Sequence, residues 1–124
     1  MDKHAKVVII GGGVVGCSIL YHLSKFGLKD CILLERKELT SGSSWHAAGN
    51  VHVISSDPNI SKMMAYTIGL YKEIEKESGH STGFKPSGGF YLASNDVWAD
   101  YLKRERSKAR YMGFDQEFIS LDEV

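Results

Sequence analysis

Three glycines set between a run of β-branched residues and a helical repeat constrain this chain more than any other feature in it. Val7, Val8, Ile9 and Ile10 form a short apolar run without alternation, the pattern of a parallel strand covered on both faces. Gly11, Gly13 and Gly16 follow at once as GxGxxG. Ile19, Leu20, Leu23 and Phe26 then recur at helical spacing until Gly27, which supplies a left-handed stop. Cys31, Ile32, Leu33 and Leu34 make a second apolar run, closed by Glu35 and Arg36. Strand, tight turn, helix and strand in that order predict one right-handed βαβ unit.

Each glycine has its own physical reason. Gly11 permits the tight turn, Gly13 lets the backbone approach a pyrophosphate, and Gly16 lets the helix pack against the strand. The phosphates would rest on the free N–H groups and positive dipole end of the helix that Val14 and Val15 open. Glu35 stands about 20 residues further on, where a carboxylate can accept hydrogen bonds from ribose hydroxyls. Its charge opposes a 2′-phosphate and so argues against NADP. A dinucleotide ligand follows from this much, but FAD and NAD are not separated.

Beyond the unit, residues 38–56 are small and polar around Trp45 and His46, a composition that lets backbone approach a ligand closely. Asp57-Pro58 reads as a helix cap and first helical position. Ile60, Met64, Ile68, Tyr71 and Ile74 predict the buried stripe of a long helix ending at Gly79, with Lys72, Glu73, Lys76 and Glu77 solvated. A turn at Lys85-Pro86-Ser87-Gly88 precedes a predicted strand over residues 89–93. Asn95 could cap a helix running to about Met112 and stopped by Gly113, and Phe118 and Ile119 suggest one more strand. Lys103, Arg104, Glu105 and Arg106 read as a solvated helix face. Tyr66, Tyr71, Phe84, Phe90 and Tyr91 read as core aromatics, and His22, His52 and His80 as structural histidines. Glu73, Glu75 and Glu77 form no catalytic pair.

Composition narrows the partners. Lys plus Arg and Asp plus Glu each total 15 in 124 residues, so no net field attracts a nucleic-acid backbone or an anionic membrane. No apolar run approaches the roughly 20 residues that cross a bilayer, and residues 1–6 carry no signal or transit pattern. The expectation is a cytoplasmic protein, or a mitochondrial-matrix one already processed. Cys17 and Cys31 have neither CxxC nor metal-ligand spacing and are expected as small core residues, so no metal site is assigned. Ser120, Leu121, Asp122 and Glu123 have the form of a capping box, a helix start that Val124 cuts short. Together with a sheet of only two strands, this predicts an incomplete α/β fold, too short to be a whole enzyme.

The stretch Leu39, Thr40, Ser41, Gly42, Ser43, Ser44, Trp45, His46, Ala47, Ala48, Gly49 resembles the loop after the second strand in the dimethylglycine and sarcosine dehydrogenases. These are flavoproteins of the D-amino-acid-oxidase-like superfamily. Thr82-Gly83-Phe84 and the stretch from Ser87 and Gly88 to Ala93, Ser94 and Asn95 resemble sarcosine dehydrogenase as well. The resemblance implies a Rossmann-like FAD-binding fold. Residues 1–56 would hold the first βαβ unit and flavin loop, and 57–124 a partial α+β continuation that begins a substrate-associated insertion. It implies cofactor contacts from Gly11, Gly13, Val14, Val15, Gly16, Glu35, Arg36, Gly42, Ser43, Ser44, Trp45, His46, Ala47, Ala48, Gly49 and Asn50, with FAD joined covalently to His46 through its 8α carbon.

The activity implied is oxidation of an N-methyl amine such as dimethylglycine or sarcosine by hydride transfer to the flavin. The resulting iminium hydrolyses to formaldehyde or is captured by a folate bound to a further domain, and the electron acceptor is a flavoprotein or dioxygen. Alternatives within the same resemblance are another FAD-dependent amino-acid oxidase or dehydrogenase, a noncatalytic FAD-binding regulatory protein, and an inactive fragment. No catalytic base is assigned.

Overall fold

The computed structural model describes residues 4–124, so the first three residues of the amino-terminal head lie outside it. The chain divides into two compact units, one reaching Asn50 and the other spanning Val51–Val124.

The first unit is the predicted βαβ. Strand β1 (Val7–Ile10) pairs in parallel with β2 (Cys31–Leu34), Val7 opposite Cys31 and Ile10 opposite Leu34. The ladder is extended at both ends, by Lys6 N–H to the Asp30 carbonyl at 3.1 Å and Gly11 N–H to the Leu34 carbonyl at 2.8 Å. Helix α1 (Val14–Lys25) connects the strands. It stops where the chain changes hand: Gly27 has φ 86, Leu28 N–H reaches the Leu23 carbonyl and Gly27 N–H the Ser24 carbonyl, both at 2.9 Å. That pair of bonds satisfies carbonyls the helix end would leave open.

Burial departs from the sequence expectation. Successive strand residues point to opposite faces, and Ile9, on the α1 side, is buried whereas Val8, Ile10, Ile32 and Leu34 are exposed. One sheet face is covered and the other is bare among the described residues, because one connecting helix shields only one side. On α1, Leu20 and Leu23 are half-buried, but Ile19 and Phe26 are exposed. Cys17 and Cys31 are free thiols, half-buried rather than core, leaning on the Gly12 and Leu28 carbonyls at 3.6 and 3.4 Å.

The second unit is built on α2 (Pro58–Ser78) and α3 (Asp96–Tyr111). Asp57 caps α2 through Oδ1, which accepts from Asn59 N–H at 2.7 Å and Ile60 N–H at 3.1 Å. Gly79, at φ 70, ends the helix by donating to the Glu75 carbonyl. Along the stripe, Met64, Ile68, Tyr71 and Ile74 are half-buried, while Ile60 is exposed. Fully buried Ser61 ties in the preceding segment, its hydroxyl accepting from Ser55 N–H at 2.9 Å and donating to the Ser55 carbonyl at 3.2 Å. Asn95 caps α3 by accepting from Trp98 N–H at 3.0 Å, and Gly113 (φ 84) closes it around the buried Ala109.

The strands predicted over 89–93 and at Phe118-Ile119 are not formed. A strand needs a neighbour to take its alternating N–H and C=O groups, and no ladder other than β1–β2 exists among the described residues. At the carboxyl end, Glu123 Oε2 accepts from the Ser120 N–H at 2.7 Å and hydroxyl at 2.9 Å, over a single 3-10 turn (Leu121–Glu123).

Candidate functional site

The turn from β1 into α1 is shaped by what its glycines lack. Gly11 has φ 106, a backbone conformation closed to L side chains. A Cβ on Gly16 would overlap the Gly11 carbonyl oxygen, so the absence of a side chain is what lets α1 start hard against the strand. At Gly13 a Cβ would lie 3.1 Å from Ser44 Oγ. The backbone at the mouth of the helix is therefore bare, and Val14 and Val15 are exposed beside it. The first-turn N–H groups of a helix have no acceptor within it, and Gly13 brings no side-chain cap. Val14 N–H instead donates to Ser44 Oγ at 2.8 Å, a bond that reaches across to the loop after β2.

Gly12, which the sequence pattern passes over, is held on both sides. Its N–H donates to Glu35 Oε2 at 2.7 Å, and its carbonyl accepts from Thr40 N–H at 2.8 Å. A Cβ there would collide with Leu39 and press on Glu35. Thr40 adopts φ 65, a strained conformation for a β-branched residue, and it is the one non-glycine residue with positive φ among those described.

Glu35 stands just past β2 and grips two backbone amides, Gly12 N–H through Oε2 and Lys37 N–H at 2.9 Å through Oε1. These hydrogen bonds, Gly12 first and Lys37 second, hold its carboxyl below the ordinary value of 4.5, with a smaller contribution from Arg36. A carboxylate has about four lone-pair positions, so two remain for a ligand hydroxyl. Sequence spacing predicts a ribose partner for Glu35. What the structure shows is a carboxylate bracing the glycine turn.

Ser43–His46 forms a 3-10 turn led by Gly42. The Trp45 and His46 rings lie together, centroids 4.2 Å apart and planes inclined by 36°. Ala47 leaves the turn in extended conformation. Ala48, Gly49 (φ 74) and Asn50 follow on the surface, and Arg36 is exposed. The structure thus brings Gly11, Gly13, Val14, Gly16, Glu35 and Ser44 to one place. It fixes the His46 turn to that place through Ser44.

The second unit carries no comparable convergence of chemistry. Tyr71 and Phe84 stack at 5.5 Å, and Phe90 and Tyr91 are exposed along a groove shared with Tyr101 and Phe118. Glu75 serves as a latch, its Oε1 accepting from Thr82 N–H and hydroxyl and from the Ser81 hydroxyl. Arg106 departs from the solvated face predicted for it: its Nε–H donates to the Gln116 carbonyl at 2.8 Å, and the guanidinium lies 5.0 Å from the Phe118 ring centre. His52 is exposed, and the His22 and His80 rings turn back onto the Ser18 and Ser78 carbonyls.

Chemically, the first unit offers helix-start amides of which the Val14 N–H is met by the Ser44 hydroxyl, a carboxylate at the end of the next strand, and an imidazole on a tethered turn. The first two suit a diphosphate joined to a ribose. The third offers a nucleophilic nitrogen.

Comparison with known proteins identifies a family. Residues 6–124 match the family model described as DAO, FAD dependent oxidoreductase. The chain is 40% identical over 120 residues to mitochondrial dimethylglycine dehydrogenase of Homo sapiens, covering 97% of this chain and 14% of that protein. It is 39% identical over 121 residues to human mitochondrial sarcosine dehydrogenase, covering 97% of this chain and 13% of that one. Among solved structures, L-proline dehydrogenase from P. horikoshii superposes with a TM-score of 0.88 at 26% identity, covering 99% of this chain and 32% of that chain.

Proposed function

Since the chain belongs to the FAD-dependent oxidoreductase family, we propose that it forms the FAD-binding entrance of an enzyme that oxidatively demethylates an N-methyl amine, dimethylglycine or sarcosine. The observation that supports the substrate is the 40% and 39% identity to dimethylglycine and sarcosine dehydrogenases, and the bond from Val14 N–H to Ser44 Oγ joins the glycine turn to the turn bearing His46. The residues fit the cofactor: no Cβ stands at Gly11, Gly13 or Gly16, and Glu35 is ionised and already ordered by two amides.

In this reading Val14 and Val15 line the pyrophosphate, the Val15 amide meeting it directly and the Val14 amide through the Ser44 hydroxyl it is bonded to, Glu35 accepts from the ribose, and residues 42–50, with Arg36, line the cofactor's path toward its ring system. His46 holds the cofactor covalently at the 8α carbon. FAD supplies the two-electron acceptor for the C–H bond beside the amine nitrogen. Residues 1–56 contribute the first βαβ unit and flavin loop, and 57–124 continue the same oxidoreductase domain. A flavoprotein or dioxygen serves as electron acceptor, and a folate-binding portion would lie elsewhere in the protein. The proposed location is the cytoplasm or, for a processed protein, the mitochondrial matrix, the second in keeping with relatives whose names place them in mitochondria.

The test is to load the protein that carries this chain with FAD and add dimethylglycine, sarcosine or glycine without oxygen. Bleaching of the flavin by the two methylated amines and not by glycine is the expected result. Flavin that stays oxidised with every N-methylglycine overturns the substrate, and protein that takes up no FAD overturns the reading as a whole.

A further inference from the structure

The pairing of Trp45 with His46 has no explanation in the packing of the unit. The indole is 66% exposed, so it contributes little to a core. A 3-10 helix turns about a third of a circle per residue, so its backbone sends adjacent side chains in different directions. Rings 4.2 Å apart at neighbouring positions are therefore a matter of side-chain rotamers. The backbone beneath them is held by Ser44 on Val14 N–H and, a few residues earlier, by Thr40 N–H on the Gly12 carbonyl. What that backbone leaves undetermined is the rotation of the imidazole about its own side-chain bonds.

We infer that Trp45 is a positioning residue for His46: its indole face holds the imidazole in the orientation from which a ring nitrogen meets the 8α carbon of FAD. This rests on the covalent reading given above. Forming the link makes one N–C bond and breaks one C–H bond of the 8α-methyl group and the imidazole N–H. Two protons leave to solvent, and the electron pair from the broken C–H bond is taken up by dioxygen, which becomes hydrogen peroxide. An aromatic pair of this kind restricts a ring strongly enough to change such a rate roughly twofold to tenfold.

The experiment mixes flavin-free full chain with FAD and follows the flavin that stays with acid-precipitated protein over time, in wild type, Trp45→Ala, Trp45→Phe and His46→Ala. Before flavin is added, proton NMR of the His46 ring reads the indole's ring current directly. The expected result is an upfield-displaced His46 signal that returns to its ordinary position in Trp45→Ala, where linkage slows twofold to tenfold. Trp45→Phe keeps a flat face and restores most of the rate, while His46→Ala links none. Linkage at the wild-type rate in Trp45→Ala overturns the role of Trp45 and leaves the tether standing, as does Trp45→Phe proving as slow as Trp45→Ala. Flavin lost entirely to acid from wild type and His46→Ala alike overturns the tether, and the role of Trp45 with it.

Discussion

Replacing Gly16 with alanine asks how close α1 must stand to the strand. The added methyl overlaps the Gly11 carbonyl oxygen and lies 3.1 Å from the Gly11 carbonyl carbon and 3.4 Å from Ile9 Cγ2. Carbon tolerates a carbonyl oxygen at about 3.3 Å, so the helix start must retreat by a distance on the order of 1 Å. Neither partner is a flexible chain end, because one is backbone and the other belongs to the buried Ile9. Overpacking of this kind costs about 1–3 kcal/mol of stability. The same retreat pulls the Val14 amide from Ser44 Oγ and moves the Val15 amide off the phosphate position proposed for it. Losing one hydrogen bond to a charged group costs about 1.5–3 kcal/mol, or roughly ten- to hundredfold in FAD affinity. Gly69→Ala is the matched control, since Gly69 lies inside α2 and, apart from its chain neighbours and the helix's own backbone, nothing comes within 4 Å of its missing Cβ. There the change should stabilise by about 0.5–1 kcal/mol. Urea unfolding followed by circular dichroism measures stability, and quenching of flavin fluorescence measures affinity. Gly16→Ala unfolding at the wild-type urea concentration and binding FAD equally well would refute the close-approach argument.

Two further outcomes follow from the caps and braces. Glu35 has its carboxyl lowered in the folded chain, so its contribution to stability is complete above the ordinary value of 4.5 and is lost as pH falls through the lower folded value. Urea midpoints of wild type should drop below pH 4.5 more steeply than those of Glu35→Gln, and parallel curves would show that the Gly12 and Lys37 bonds do not bear on folding. Asp57→Ala removes the acceptor for Asn59 and Ile60 N–H and should cost about 1 kcal/mol, with faster amide exchange at those two residues as the local readout. Unchanged exchange there would disprove the cap.

The parts of the fold legible in the sequence are those set by local chemistry. The turn glycines, the Asp57-Pro58 start, the Asn95 cap and the stops at Gly27, Gly79 and Gly113 each act within a few residues, and each falls where the pattern put it. Burial was less legible, because β-branched runs and helical stripes state which residues can be covered, not which are. Val8, Ile10, Phe26 and Ile60 match their patterns and are exposed. The strands expected near Phe90 and Phe118 failed for a related reason, since extended preference is local and a ladder partner is not. In the site, the glycines and Glu35 were legible from spacing. The tasks of Gly12, Thr40 and Ser44 were not, because each depends on a bond between segments more than 20 residues apart in sequence. The run of three consecutive glycines was the only hint that Gly12 had a role.

The sheet face left bare by α1 changes what mutagenesis of this chain can report. Val8, Ile10, Ile32 and Leu34, each between 40% and 88% exposed, form a greasy ribbon two strands wide with only part of their surface packed. Threonine or lysine there should make the chain more soluble at little expense to its folding, so a screen for well-behaved variants would select changes at those four positions. The same variants would spoil any larger assembly that seals the ribbon, and tolerance measured on this chain is a misleading guide to tolerance in such an assembly.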